Sequence, residues 1–259
     1  MASPRPAESR ARRLVPAVLP RRLEPETLDH LAPDDPSAQR SRRDLRRVNR
    51  VMGARAILFR ALRRVVAEDR QGAPLRVLEI GCGDGLLMLD VARRRDPAFG
   101  AVQLTLLDRQ PLVGAATLAA YAAAGWRAET LNTDVLAWAE ADADTVPHWD
   151  VVVANLFLHH FEGEALRRVL GACAWRADAL VACEPRRSRF ALAASHLVAF
   201  IGANPVTRED AVLSVRAGFV AGELSAAWPG AADAWRLDEY DDGLFTHCLC
   251  AKRARADGR

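Results

Sequence analysis

Leu75–Gly85 reads LRVLEIGCGDG, and it decides the fold. A short apolar run, Leu75 to Ile80, meets glycines at 81, 83 and 85, and Leu86, Leu87, Met88, Leu89, Val91 and Ala92 follow at helical spacing. This is the pattern of a buried strand, a tight turn and the start of a helix. Glycines let the turn take positive φ and bring a ligand close to bare backbone. The helix start adds unpaired N–H groups.

Working outward, apolar runs alternate with helical patterns. Strands are expected at Val102–Leu107, Trp126–Leu131, Trp149–Ala154 and Ala179–Cys183. Helices are expected at Pro111–Ala124, Val135–Ala141, Glu162–Ala174, Phe190–Ile201 and Arg208–Val215. Asp241-Asp242-Gly243 joins two last strands, Trp235–Tyr240 and Leu244–Ala251, as a hairpin. Five strands alternating with helices, closed by a hairpin, predict an α/β fold. It is a Rossmann-like, seven-stranded, mostly parallel sheet with helices on both faces.

Before this unit, Leu45, Val48, Met52, Ala56, Phe59, Leu62 and Val66 form one apolar helical stripe, with Gly53 a candidate break. The expected organisation is a disordered basic lead-in over 1–22, broken by Pro4, Pro6, Pro16 and Pro20, then a helical cap over 23–70. The α/β domain follows over 71–259. The cap reads either as a packing helix with a solvated basic face or as a lid excluding water from the glycine turn.

Composition narrows the partners. Residues 1–70 hold 17 arginines against 9 acids, and residues 71–259 hold 19 basic against 24 acidic residues, so the net charge of +3 hides a basic N-terminus. No apolar run reaches the roughly 18 residues of a membrane span. Cys82, Cys173, Cys183, Cys248 and Cys250 are scattered and lack metal-ligand spacing, which fits small hydrophobes in a reducing cytoplasm; no metal is expected.

The glycine turn fits neither common nucleotide signature. A dinucleotide fingerprint needs its third glycine at position 86, where Leu86 stands, and the Gly-Lys-Ser/Thr of a P-loop is missing. Glu79-Ile-Gly81-Cys-Gly83-Asp-Gly85 instead resembles motif I of the class I S-adenosylmethionine-dependent methyltransferases. The resemblance covers about Leu75 to Lys252 and implies S-adenosylmethionine as cofactor. By that resemblance Glu79 orders the loop formed by Gly81, Cys82 and Gly83 near the ligand's amino group. Asp108 takes the ribose hydroxyls, and Arg109 and Gln110 flank the adenine. Asp134, with Val135 beside it, takes the adenine amino group, and Asn155 lines the methionine end.

The acceptor is less constrained. Asn155-Leu-Phe-Leu lacks the prolines of amino-group methyltransferases, and no Pro-Cys dipeptide occurs, which argues against nucleic acid. The segment Asp150 to Phe161, with His159-His160, is similar to the small-molecule methyltransferases of the ubiquinone/menaquinone-biosynthesis type, where a histidine after the fourth strand faces the pocket. The stretches Ser41-Arg-Arg-Asp-Leu45 and Glu184-Pro-Arg-Arg187 resemble bacterial methyltransferases that accompany type III polyketide synthases.

Candidate bases are His159 and His160, of which only one is expected to face the pocket and His159 is favoured as the nearer to the strand end, then His196 and His247. Each also reads as a structural histidine. Glu184 is expected to reach the pocket, with the arginines after it holding an anion or lying solvated. The expected activity is methyl transfer to a small phenolic, polyketide-like or quinol acceptor, at oxygen rather than carbon. A non-catalytic S-adenosylmethionine-binding subunit and an RNA or protein methyltransferase using the basic arm are the alternatives. A homodimer stays open.

Overall fold

The computed structural model describes residues 19–66, 72–142, 147–230 and 234–254; of the lead-in expected over 1–22, residues 1–18 lie outside the described residues, while Leu19, Arg21 and Arg22 are held by hydrogen bonds to Arg187, Ala217 and Arg216 rather than disordered. Two helices come first, α1 (Pro36–Met52) and α2 (Ala54–Val65). Asp35 caps α1 by accepting from the N–H groups of Ser37 and Ala38, and Pro36 sits at its first turn. Gly53, at φ +70°, divides the two helices as its position in the stripe predicts.

The alternating unit follows: β1 (Leu75–Ile80), α3 (Leu86–Ala92), β2 (Val102–Asp108), α4 (Ala115–Ala123), β3 (Trp126–Asn132), α5 (Val135–Glu140), β4 (Val151–Asn155), α6 (Gly163–Arg176) and β5 (Ala179–Pro185). Then come α7 (Arg189–Ser195), α8 (Pro205–Ala217), α9 (Glu223–Ala227), β6 (Trp235–Asp242) and β7 (Thr246–Arg253). The expected single helix over Phe190–Ile201 divides. Its second half, His196–Ile201, is a 3₁₀-helix ended by Gly202 at φ +78°.

The sheet order is β3-β2-β1-β4-β5-β7-β6. The first five strands are parallel, and β7 runs antiparallel to both β5 and β6. The order reverses between β1 and β4, so their connections leave in opposite directions and open a crevice at the carboxyl ends of the strands. One core cluster packs α2, α3 and α4 on one face through Leu58, Leu62, Met88, Leu89 and Tyr121. The other packs α5 and α6 on the opposite face through Trp138, Trp149, Leu166 and Leu170. Both faces being covered explains why β4 and β5 are apolar without alternation.

The stripe from Leu45 to Val66 serves two purposes. Leu58, Ala61, Leu62 and Val65 of α2 are core, whereas Leu45, Val48 and Met52 of α1 are half-buried and line a cavity. The fully buried positions of α1 are Ala38, Ser41 and Asp44. Asp44 accepts from the Asn204 N–H at 2.7 Å and Ser41 donates to Asn204 Oδ1 at 3.1 Å, so polar bonds tie α1 to the N-terminus of α8. No helix among the described residues is long and apolar enough to cross a membrane.

Candidate active site

A cavity of about 1160 Å³ opens at the carboxyl edge of the sheet, between the strand ends and α1. The glycine turn forms its floor. Gly81, Gly83 and Gly85 all take positive φ, at +67°, +55° and +70°. A Cβ on Gly81 would lie 2.1 Å from the Phe157 ring, so only glycine admits that ring; a Cβ on Gly83 would meet nothing within 4 Å, leaving open space above the turn. The Tyr121 hydroxyl, buried beneath the turn, donates to Gly85 O at 2.6 Å and holds it from below.

Acidic groups surround this turn. Asp108 accepts from Gly83 N–H and Gln110 N–H, both at 2.9 Å, and so joins the ends of β1 and β2. Each of its oxygens keeps a second lone pair. Asp134 caps α5, accepting from Leu136 N–H at 2.8 Å. Glu79 is buried at the end of β1, and its Oε2 has no hydrogen-bond partner among the described residues. Burial, with Asp84 and Asp108 nearby, pushes its carboxyl up to about 8. Glu79, Gly81, Cys82, Gly83, Asp108, Arg109, Asp134, Val135 and Asn155 all line this one cavity.

The loop after β4 is shaped by a group from β5. Leu156 takes a left-handed conformation at φ +51°, uncommon for a branched side chain. The turn lets three successive amides converge on Glu184. Its Oε1 accepts from Phe157 and Leu158 N–H at 3.1 and 2.8 Å, and its Oε2 from His159 N–H at 3.3 Å. Oε2 also pairs with His159 Nδ1 at 2.8 Å. Glu184 is fully buried behind His159 rather than facing the cavity. On the other side, His159 Nε2 lies 3.3 Å from Glu26 Oε1, which also accepts from the Ser214 hydroxyl. Burial alone would lower the His159 imidazole, but Glu184 and Glu26 outweigh it and raise the group to about 9.

Both adjacent histidines line the cavity, against the expectation that only one does. The short 3₁₀-turn Leu158–His160 brings their rings to 4.2 Å between centroids, where an extended chain would have sent them to opposite sides. His160 Nδ1 lies 3.4 Å from Asp29 Oδ2. Burial and the neighbouring His159 lower its pKa.

The other two candidate bases fall outside. His196 is exposed at the start of the 3₁₀-helix, and its neighbours Ser195, Leu197 and Val198 line the cavity instead. His247 is buried in β7, held by Asp241 Oδ1 at 2.7 Å and Glu239 Oε1 at 2.8 Å, both on β6. It belongs to the sheet edge. Of the arginines after β5, Arg186 pairs with Asp241 at 2.9 Å, the buried Arg187 pairs with Glu223, and Arg189 is exposed.

The N-terminal segment closes the remaining side. Arg46 of α1 reaches Asp84 in the glycine turn at 2.9 Å, Arg42 donates to Gln110 Oε1 at 3.2 Å, and Arg109 donates to Asp29 O. Glu26 and Asp29, which sequence reasoning passed over, enter the site from here. Glu26 lies 133 residues from His159, so no local pattern could have linked them.

Residues 77–176 match the family model described as a methyltransferase domain. No curated protein matches the sequence. Among solved structures, the chain is similar to the plantazolicin methyltransferase BpumL in complex with SAH, at 12% identity and TM-score 0.57 over 85% of this chain and 92% of that one. It is also similar to an O-methyltransferase family protein from Burkholderia thailandensis, at 19% identity and TM-score 0.54, over 87% and 62%. A third is magnesium protoporphyrin IX methyltransferase (ChlM) from Synechocystis PCC 6803 with bound SAH, at 17% identity and TM-score 0.52, over 85% and 96%. A methyltransferase domain is thus matched from within β1 to the end of α6, on a fold shared with solved methyltransferase structures.

Proposed function

We propose that the protein transfers a methyl group from S-adenosylmethionine to an oxygen of a small phenolic, polyketide-like or quinol acceptor. The observation that carries this reading is convergence: the nine residues singled out at four strand ends all line one cavity. The donor set fits the cofactor. The unpartnered Glu79 carboxylate suits an ammonium group, and a cation there would restore its charge. Asp108 suits a pair of ribose hydroxyls, Asp134 with Val135 and Arg109 would frame the adenine, and the open space above Gly83 admits the ligand's backbone approach.

S-adenosylmethionine supplies a methyl group already activated on a sulfonium. The protein's part is then to hold an acceptor oxygen in line with it, to help that oxygen shed its proton and to keep water out. Leu45, Val48 and Met52 of α1, together with Val198, Ile201 and Phe245, give the cavity an apolar lining suited to an aromatic or alkyl-tailed acceptor. The bridges from Arg46 to Asp84 and from Arg42 to Gln110 support the reading of residues 23–70 as a lid. His159 and His160, which line the cavity, would act on the acceptor; His196 and His247 lie outside that lining.

The test is transfer of labelled methyl from S-adenosylmethionine to a panel of phenols, pyrones and quinols, with Asp108→Ala alongside. Label should appear in at least one acceptor, and Asp108→Ala should weaken cofactor binding at least about tenfold through the lost charge-assisted hydrogen bonds. Cofactor binding with no transfer to any acceptor would sink the enzymatic reading. Unchanged binding by Asp108→Ala would sink the site assignment.

A further inference from the structure

Glu26, His159 and His160 all line the cavity, and each offers one ligand-type atom, the three lying within 4.8 Å of one another. We propose that these three residues bind a divalent transition-metal ion of the zinc class, beside the methyl-transfer site. The spacing fits. Ligand atoms about 2.1 Å from a tetrahedral zinc stand about 3.4 Å apart, and Glu26 Oε1 and His159 Nε2 are separated by 3.3 Å. That is long for a hydrogen bond.

The surroundings fit as well. A histidine that ligates a metal through one ring nitrogen usually directs the other to a carboxylate, which fixes its tautomer and orientation. Glu184 stands at 2.8 Å from His159 Nδ1, leaving Nε2 toward Glu26. Asp29 stands at 3.4 Å from His160 Nδ1. Three carboxylates thus surround two imidazoles. The nearby Arg21 guanidinium is spent on the carbonyl oxygens of Ala217, His159 and Phe161, while Arg109 faces Asp29 at 3.9 Å. Two histidines and one carboxylate match the ligand types of open catalytic zinc sites, which leave a position for substrate.

This inference deepens the proposed function and rests on it for its chemistry, though not for the metal site itself. An acceptor with two adjacent oxygens, such as a catechol or an enolised dicarbonyl, would chelate the ion. Chelation releases the acceptor's hydroxyl proton to water. The oxygen lone pair then forms the O–CH₃ bond, and the electron pair of the C–S bond returns to sulfur.

Tag-free full-length protein, stripped with chelator, is titrated with Zn²⁺ by calorimetry and with Co²⁺ by visible absorption, without cofactor or acceptor. One equivalent should bind. Glu26→Gln and His160→Ala should each weaken it at least about 100-fold, and Glu184→Gln about 10- to 100-fold by releasing the His159 ring. His196→Ala, on the surface, should leave it unchanged. Cofactor binding by Glu26→Gln, measured in parallel, shows that the variant is folded. Absence of a one-to-one site in the wild type, or an affinity indifferent to Glu26→Gln and His160→Ala, overturns the proposal. Either result leaves the methyltransferase reading to its own assay.

Discussion

Two imidazoles in this protein are each held between two carboxylates, and they serve different ends. His247 on β7 lies between Asp241 and Glu239 of the adjacent strand. Asp241 is its direct cross-strand partner, and Glu239 is one step along the same face. The cluster is a product of local register: residues six and eight positions apart along one hairpin. His159 lies between Glu184, which is 25 residues away, and Glu26, which is 133 away. That cluster exists only because β4, β5 and the N-terminal segment meet at the crevice. The same chemistry pins a sheet edge in one place and lines a ligand cavity in the other. Histidine type and burial therefore do not identify a working group; the element that supplies its partners does.

Glu184→Ala should separate the two clusters most sharply. It strips the acceptor from three backbone N–H groups and the His159 ring. A loss of about 3–5 kcal/mol in denaturant unfolding is expected. Asp241→Ala, at a half-exposed carboxylate, should cost less than about 1 kcal/mol. Equal costs for the two variants would break the comparison.

The histidines themselves come next. His247→Ala leaves the Glu239 carboxylate without its ring partner and should lower stability by about 1–3 kcal/mol while cofactor binding and methyl transfer persist. His159→Ala should lower transfer at least about 100-fold. A His247→Ala enzyme that is stable but inactive would reverse the assignment.

Two buried glutamates should respond to pH in opposite directions. Burial pushes the Glu239 carboxyl up, but hydrogen bonds from His247, Ser225 and Leu224 outweigh it and hold the group down at about 2, against 4.5 for a free carboxyl. Its stabilisation is present above 4.5 and fades as pH falls toward 2. Glu239→Gln should flatten that acid limb. Glu79 is raised to about 8, so the folded state holds its proton more tightly than the unfolded chain does. Its contribution is full below 4.5 and fades as pH rises through about 8. Melting temperatures at pH 6 and 8.5 should show Glu79→Gln gaining on the wild type as pH rises, while its cofactor affinity falls. A constant gap would mean that Glu79 is ionised in the folded protein.

Much of the proposed cofactor side is legible because its residues lie at or just after strand ends. A parallel sheet carries all its carboxyl ends to one edge, so Glu79, Asp108, Asp134 and Asn155 had to meet once the strands were recognised. The acceptor side was legible only in part. His159 is legible from its place after β4, but only one of the two adjacent histidines is expected to face the pocket, and the 3₁₀-turn brings both to it. His196 and His247 were plausible by residue type alone. The stripe on α1 was read correctly as apolar, yet Leu45, Val48 and Met52 face a cavity rather than the core, a distinction that periodicity does not carry.

What the sequence determined by itself is local: where glycine permits a left-handed turn, where apolar runs end in acids, and where Gly53 parts two helices. These follow from backbone sterics and hydrophobic period, which neighbouring residues dictate. Which carboxylates attend His159, and that His247 stays in the sheet, was decided by the tertiary structure alone. Such partners come from segments brought together when the crevice forms between β1 and β4, and no spacing along the chain encodes the distance between them.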